Sequence, residues 1–457
     1  MEDEKTVNMI TEFTRLSPSS PSPSHFSLPL TFFDTLWFKF PPTERVFLYQ
    51  LADLTRESFY SDILPRLKRS LSAALVHYFP LAGNIKWDAS DPTPTITCAP
   101  NDAVSLTVAE STADFSNVCA DEVHEVTVLH SLLPELPVGD HLSLIISLQI
   151  TLFPGRGFSL GFSTHHAVLD GHTIASFIKA WAYMNKHDQE NASLPADLIP
   201  SFDRSAIKDP AGLNAEFLNM WIAFGGGDSD PSKRNLKTMP LEKIDPKFVR
   251  ATFGLSREDI KKLRERVLVQ NDHVKRPLHL STFVITYAYV FTCMVKARGG
   301  DNDRLICSAF TADYRTRLDP PVPSNYFGNC VILQMGLGYA RDLMGKDGFV
   351  TAAKNLSDLV SGLDIDAPKR VPDLLSKIMS LRQEMQLGSV AGSTRFGTYG
   401  IDFGWGKPKK VEIASIDGTG AFSLMESRDG NGGVEIGVSM RTREEMENFA
   451  SLFSTEQ

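Results

Sequence analysis

Between Leu142 and Gly171 the chain changes its hydrophobic period. Leu144, Ile146, Leu148, Ile150 and Leu152 recur at every second position, which predicts a half-buried strand, and Pro154-Gly155-Arg156-Gly157 ends it in a turn. A second strand follows, with Phe158, Leu160, Phe162, Thr164 and His166 on one face and Ser159, Gly161, Ser163 and His165 on the other. Alternation continued to the strand end points the two histidines in opposite directions. After Asp170-Gly171 the positions Ile174, Phe177, Ile178, Trp181 and Ala182 take the spacing of an amphipathic helix. The run from His165 to Gly171 therefore occupies a strand-to-helix junction.

The rest of the chain reads as alternating α/β text. Leu64, Leu67, Leu71, Leu75 and Tyr78 predict a helix over Ile63–Tyr78 that stops at Phe79-Pro80. Ser256 is the expected N-cap of a helix to Val269, and Ser281–Val295 reads as a more apolar, buried helix. Val434, Ile436, Val438 and Met440 alternate as a strand, and Thr442 with Glu445 forms a capping box before Met446, Phe449 and Phe453. Ser17–Ser27 is Ser/Pro-rich and irregular. From about Asn185 to Lys237, polar and glycine-rich stretches such as Phe224-Gly225-Gly226-Gly227-Asp228 interrupt any regular pattern, as expected of an interdomain crossover.

Length and composition narrow the setting. The 457 residues, 42% of them apolar, suit two or three domains with ample core. With 46 basic against 55 acidic residues the formal charge is −9, and no basic stripe offers a nucleic-acid surface. Cys98, Cys119, Cys293, Cys307 and Cys330 are odd in number and widely spaced, so neither a disulfide framework nor a zinc site is expected, and a reducing compartment fits. The acidic start lacks a signal peptide's apolar region, and Leu142–Phe153 is too short to span a bilayer. A monomer in the cytosol, with no membrane partner, is the expectation.

A neutral imidazole takes a proton from a hydroxyl as that group attacks a carbonyl, which contributes about 10²- to 10⁴-fold in rate. An isolated H-x-x-x-D is equally a histidine at a strand end followed by a helix cap. A metal site from His165, His166, Asp170 and His172 is disfavoured, since adjacent histidines diverge. Asp170 by its spacing could orient the imidazole.

Four further segments give the motif context: Leu28-Pro29-Leu30-Thr31-Phe32-Phe33-Asp34, Tyr78-Phe79-Pro80-Leu81-Ala82-Gly83, Asn325-Tyr326-Phe327-Gly328-Asn329-Cys330 after Asp313-Tyr314-Arg315-Thr316-Arg317, and Asp402-Phe403-Gly404-Trp405-Gly406-Lys407-Pro408. In order and spacing the sequence resembles, over nearly its whole length, the plant BAHD acyltransferases, and within them the branch acting on anthocyanin, flavonoid and phenolic glucosides. The resemblance implies an α/β fold of two similar chloramphenicol-acetyltransferase-like domains with a channel between them. The expected division is an N-terminal domain, 1–190, a crossover, 191–237, and a C-terminal CoA-binding domain, 238–457. It further implies an acyl-CoA co-substrate, malonyl-CoA foremost, with no permanently bound cofactor, no metal and no covalent acyl-enzyme.

On that resemblance His166 is the general base. Asp170 becomes a brace paired with Arg315 or, second, Arg317, and Asp402, Gly404, Trp405 and Gly406 are architectural. Arg264 and Arg266 match a region that binds CoA phosphate, although a solvated helix face explains them equally, and Ser281 and Thr282 are candidates for the diphosphate or pantetheine. Lys407, Lys409 and Lys410 are further cations in a run that reads as surface. Ser393 and Thr394 are candidates for the oxyanion. Some malonyltransferases of the branch carry an arginine shortly after the motif aspartate where this chain has His172-Thr173-Ile174, leaving His172 or Arg395 for a malonyl carboxylate. A hydroxycinnamoyl donor, a peptide-synthetase condensation domain and a non-catalytic relative are the alternatives.

Overall fold

Ile146–Phe153 and Gly157–Thr164 form an antiparallel hairpin in which Phe153 faces Gly157. Gly157 has φ +154°, and a Cβ there would lie 2.1 Å from the Tyr49 carbonyl oxygen, so glycine is required where this turn meets the neighbouring strand. The computed structural model describes residues 8–20, 23, 26–88, 91–187, 193–224, 234–239, 245–270, 277–381 and 385–455. Part of Ser17–Ser27, and all of Gly225-Gly226-Gly227-Asp228, lie outside the described residues.

The hairpin is the centre of a six-stranded mixed sheet in the order Asn8–Leu16, Val104–Ser111, Ile146–Phe153, Gly157–Thr164, Thr43–Gln50, Lys410–Ile413. A seven-stranded sheet runs Val331–Tyr339, Leu305–Asp313, Met385–Ala391, Ala421–Glu426, Val434–Met440, Val249–Leu255, His124–Glu125. Each half of the chain thus lends one edge strand to the other half's sheet. A small sheet joins Phe26–Pro29, Thr95–Cys98, Asn84–Lys86 and Leu142–Leu144. The strand expected to run on from Leu142 is therefore two strands in different sheets, broken at Ile145.

Both hairpin strands are buried along their whole length, where alternation predicted one wet face. Helix Gly171–Lys186 covers the apolar face, with Trp181 6.0 Å from Phe162 in an edge-on contact. The polar face is covered by residues 126–136: Ser163 Oγ donates to the Pro134 carbonyl at 2.7 Å, and Gln149 Nε2 to the Ser131 carbonyl at 2.9 Å. Polar side chains facing a covering loop give the same alternation as polar side chains facing water.

Helix Leu64–His77, entered through a π-helical turn at Phe59–Ile63, packs on helix Gly171–Lys186, and Trp181 Nε1 donates to Ser70 Oγ at 3.0 Å. Ser256 caps Arg257–Val269 and Ser281 caps Thr282–Arg298, which is buried on nearly every side. Thr442 Oγ1 accepts from the Glu445 N–H at 3.1 Å, but the Glu445 carboxylate takes the Arg441 N–H rather than that of Thr442, so the expected box is displaced by one residue.

The expectation of an irregular crossover fails at Leu213–Phe224, which is a helix. Leu213, Phe217, Leu218 and Trp221 are buried in it, and Trp221 Nε1 donates to the Thr35 carbonyl at 2.9 Å. The neighbouring glycines and prolines masked a three-turn apolar stripe. Where the halves meet, Arg250 of the seven-stranded sheet is buried against Glu412 of the six-stranded sheet at 2.6 Å and against Asp417 at 2.9 Å. Lys410, which the sequence placed at the surface, is buried there too, bonded to Asp121, to Thr252 at 2.7 Å and to Glu412 at 3.4 Å. Its ammonium is committed to this seam.

Candidate active site

The strand ends at Thr164, and a turn closed by the Val168 N–H on the His165 carbonyl at 3.0 Å carries both histidines. Pleat alternation therefore does not reach them, contrary to expectation. Adjacent residues of an opposing segment separate them instead. The His166 ring stacks on Trp37 at 4.6 Å, nearly parallel, and meets Phe40 edge-on at 5.9 Å, whereas His165 lies 6.5 Å from Phe38. His165 is buried, and its Nδ1 accepts from the Ala167 N–H at 3.3 Å.

Burial pushes the His166 imidazole down to about 4, although its own carbonyl and Asp170 pull upward; the charge on Arg45 pushes it further down. The imidazole is therefore neutral at physiological pH. His165 is pushed to about 3 by burial and by His166.

Asp170 is the N-cap of helix Gly171–Lys186, accepting the Thr173 N–H on Oδ1 at 2.8 Å. Its Oδ2 lies 2.8 Å from Arg315 Nη1 and accepts the Cys330 N–H at 3.1 Å. Burial alone would raise this carboxyl, but Arg315 and the two N–H donors bring it below the usual carboxylate range. Arg315 is the partner; Arg317 donates to the Asp313 carbonyl. With its oxygens so committed, Asp170 holds the turn.

A second brace escaped the sequence. Asp34 accepts the Thr31 N–H at 2.9 Å, pairs with Arg204 at 2.7 Å and accepts the Asn329 N–H at 2.9 Å. Asn329 Nδ2 in turn donates to the His166 carbonyl at 3.0 Å. The T-x-x-D spacing of Thr31 and Asp34 was a legible capping signal; its link to Asn329, almost 300 positions away, was not.

Arg264 Nε donates to the Leu280 carbonyl at 2.9 Å, which groups it with Ser281 and Thr282 at a helix start. Arg266, two positions on and so about 200° round the helix, lies over Phe349 at 5.4 Å and bonds the Lys346 carbonyl. The two arginines do not share a site. His172 Nε2 bonds the Ser324 carbonyl at 2.8 Å and Arg395 is exposed. Ser393 Oγ accepts the Arg395 N–H at 3.2 Å, and Ser393 and Thr394 precede Phe396, which rests on Gly171. Asp402 accepts from Gly404 and Gly406 at 2.7 and 2.9 Å and pairs with Lys186 at 2.6 Å. The Phe403 carbonyl accepts from Asn185, Phe403 packs on Trp181, and Trp405 lies beneath Arg66 at 5.0 Å. This loop clasps the C-terminal end of the helix whose other end bears Asp170. Among the described residues no group of three or more His, Cys, Asp or Glu could hold a metal, and no helix is long and apolar enough to cross a membrane.

Residues 7–456 match the family model described as the Transferase family. The chain belongs to this family, that of the BAHD acyltransferases. Two BAHD relatives from Arabidopsis thaliana are similar over nearly their whole lengths. "Malonyl-CoA:anthocyanidin 5-O-glucoside-6''-O-malonyltransferase" is 47% identical, covering 98% of each chain. "Phenolic glucoside malonyltransferase 1" is 46% identical, covering 97% of this chain and 96% of the relative. Among solved structures vinorine synthase superposes with a TM-score of 0.70 at 22% identity, covering 98% of this chain and 100% of that one, a likeness of fold. The BAHD chain thus has the two-domain architecture the sequence implied.

Proposed function

We propose that the chain transfers a malonyl group from malonyl-CoA to a sugar hydroxyl of a phenolic or flavonoid glucoside. The observation that carries this is the near-full-length identity of 46–47% to two glucoside malonyltransferases, joined to a neutral His166 at a braced turn. His166 takes the hydroxyl proton as the oxygen attacks the thioester carbonyl. The resulting oxyanion collapses, expelling the CoA thiolate, which is reprotonated by the imidazolium. A base in this role supplies about 10²- to 10⁴-fold, roughly 3–5 kcal/mol of barrier.

No covalent acyl-enzyme is needed. Cys330, whose backbone N–H meets Asp170, has its thiol pushed up by burial, which suits a structural residue rather than a thiolate nucleophile. Residues 1–190 supply the base, 191–237 cross over, and 238–457 bind CoA in a channel between the halves, with Arg264, Ser281 and Thr282 nearest its phosphates. Arg266 is a weaker candidate because its guanidinium is occupied. Ser393 and Thr394, just before the Phe396 that rests on Gly171, serve as the oxyanion donors in this reading. The protein works as a cytosolic monomer; its charge of −9 and five buried cysteines outside any disulfide support a reducing, nucleic-acid-free setting.

The test is a matrix of malonyl-, acetyl-, coumaroyl- and caffeoyl-CoA against flavonoid, simple phenolic and anthocyanin glucosides, read by mass spectrometry beside His166→Ala. Malonylated glucosides are expected. Product from aglycones alone, or from coumaroyl-CoA alone, overturns the reading.

A further inference from the structure

Arg45 has a position that the chemistry above does not use. It lies on Thr43–Gln50, opposite Phe162 on one side and Ile413 on the other, so its side chain leaves the sheet on the face covered by helix Gly171–Lys186. Two residues earlier, Thr43 faces Thr164 with their hydroxyls 2.6 Å apart. The antiparallel register therefore brings the start of this strand to the end of the strand that leads into His166. A third wall arrives from the other half: a Cβ on Gly392 would lie 2.9 Å from Ile413 Cδ1, and one on Gly171 would lie 2.7 Å from Phe396, so the 392–396 loop spans from the neighbour of Arg45 to the start of the helix.

Arg45 is only 8% exposed, and among the described residues its guanidinium makes no hydrogen bond or ion pair. Its charge reaches both Asp170 and His166, but Asp170 is already bonded to Arg315. A guanidinium buried without an anion is costly and offers five donors in a planar fork. The ligand that suits this cation is a small carboxylate within a few bonds of the carbon that His166 serves.

We propose that Arg45 binds the free carboxylate of the malonyl donor and makes the site prefer malonyl over uncharged acyl groups. This deepens the malonyl-transfer reading and rests on it. In a malonyl thioester one methylene separates the carboxylate from the reacting carbonyl, so the cation must be a neighbour of the base, as Arg45 is. The two candidates visible in sequence fit less well, since His172 is bonded to the Ser324 carbonyl and Arg395 is exposed.

Calorimetric titration of malonyl-CoA and acetyl-CoA, with turnover measured alongside, tests this in the full-length wild type, Arg45→Gln and Arg45→Lys. Wild type should favour malonyl-CoA, and Arg45→Gln should weaken it about 10- to 100-fold, the worth of one charge-assisted contact, leaving acetyl-CoA unchanged. Arg45→Lys should fall between, because an ammonium cannot bond both oxygens in the same fork. Equal loss of both ligands in Arg45→Gln, or an unchanged ratio, overturns the assignment. If Arg45→Gln does not fold, an unchanged ratio in Arg45→Lys overturns it. A wild type that neither prefers malonyl-CoA nor transfers malonyl sinks the functional reading itself, before any variant is compared.

Discussion

Arg315 and Asp170 pair at 2.8 Å with side-chain exposures of 4% and 1%, joining the turn that bears His166 to a segment 145 positions further along. Removing one member leaves a buried, uncompensated charge, which costs about 3–5 kcal/mol. Arg315→Met should lower unfolding free energy in urea by that order, and Asp170→Asn should lose activity through disorder of the turn. Asp170→Glu should not restore it, since the longer side chain cannot cap Thr173 and meet Arg315 together. Because the Asp170 carboxyl is lowered in the fold, its stabilisation is present above the unfolded value near 4 and is lost as pH falls through the folded value. If Arg315→Met were as stable as wild type, the brace would be wrongly placed.

His166→Ala should leave the melting temperature near that of wild type and lower kcat/KM by about 10²- to 10⁴-fold. Since the imidazole titrates at about 4, kcat/KM should stay flat on acidification from neutrality and fall only near that value. A break near pH 6.5 would show that binding substrate, or a different group, governs the profile.

Stability has the complementary dependence. His165 and His166 are held near 3 and 4, below the unfolded value of about 6.5. The contribution of their neutral forms is full above pH 6.5 and drains as pH falls towards the folded values, by up to about 1.4 kcal/mol per pH unit for each ring. His165→Asn should flatten the slope between pH 6 and 4 in urea titrations. An unchanged slope would place the acid sensitivity elsewhere.

Arg250 pins the two halves together through Glu412 and Asp417. Arg250→Ala should destabilise by about 3–5 kcal/mol, and the urea transition should broaden or split as the halves lose their common seam. A single transition with unchanged midpoint would refute this role.

Gly171→Ala places a methyl 2.7 Å from the Phe396 ring. The 393–396 loop should shift, with loss of turnover exceeding loss of stability, and adding Phe396→Leu should recover part of the rate. Failure of the second substitution to rescue would mean that the glycine serves the helix start rather than the loop.

Much of the site was readable where chemistry is local. The strand, turn, helix and N-cap around His166 follow from periods of two and 3.6 and from one aspartate, because each depends on neighbours within a few residues. Helix Leu213–Phe224 was hidden because flanking glycines broke the window in which its stripe would have shown. The wholly buried hairpin was hidden because alternation reports two unlike faces without saying what covers the polar one.

By itself the sequence determined the junction, the capped helices and the family to which the chain belongs, since those rest on local spacing and on motif order. Tertiary structure decided which arginine braces Asp170, that Asn329 and Asp34 hold the His166 backbone, that Lys410 is buried in a seam, and that Arg45 comes beside the turn that bears His166. Each of these is a pairing across more than 100 positions, and electrostatic partnership depends on distance in space, which no spacing along the chain encodes.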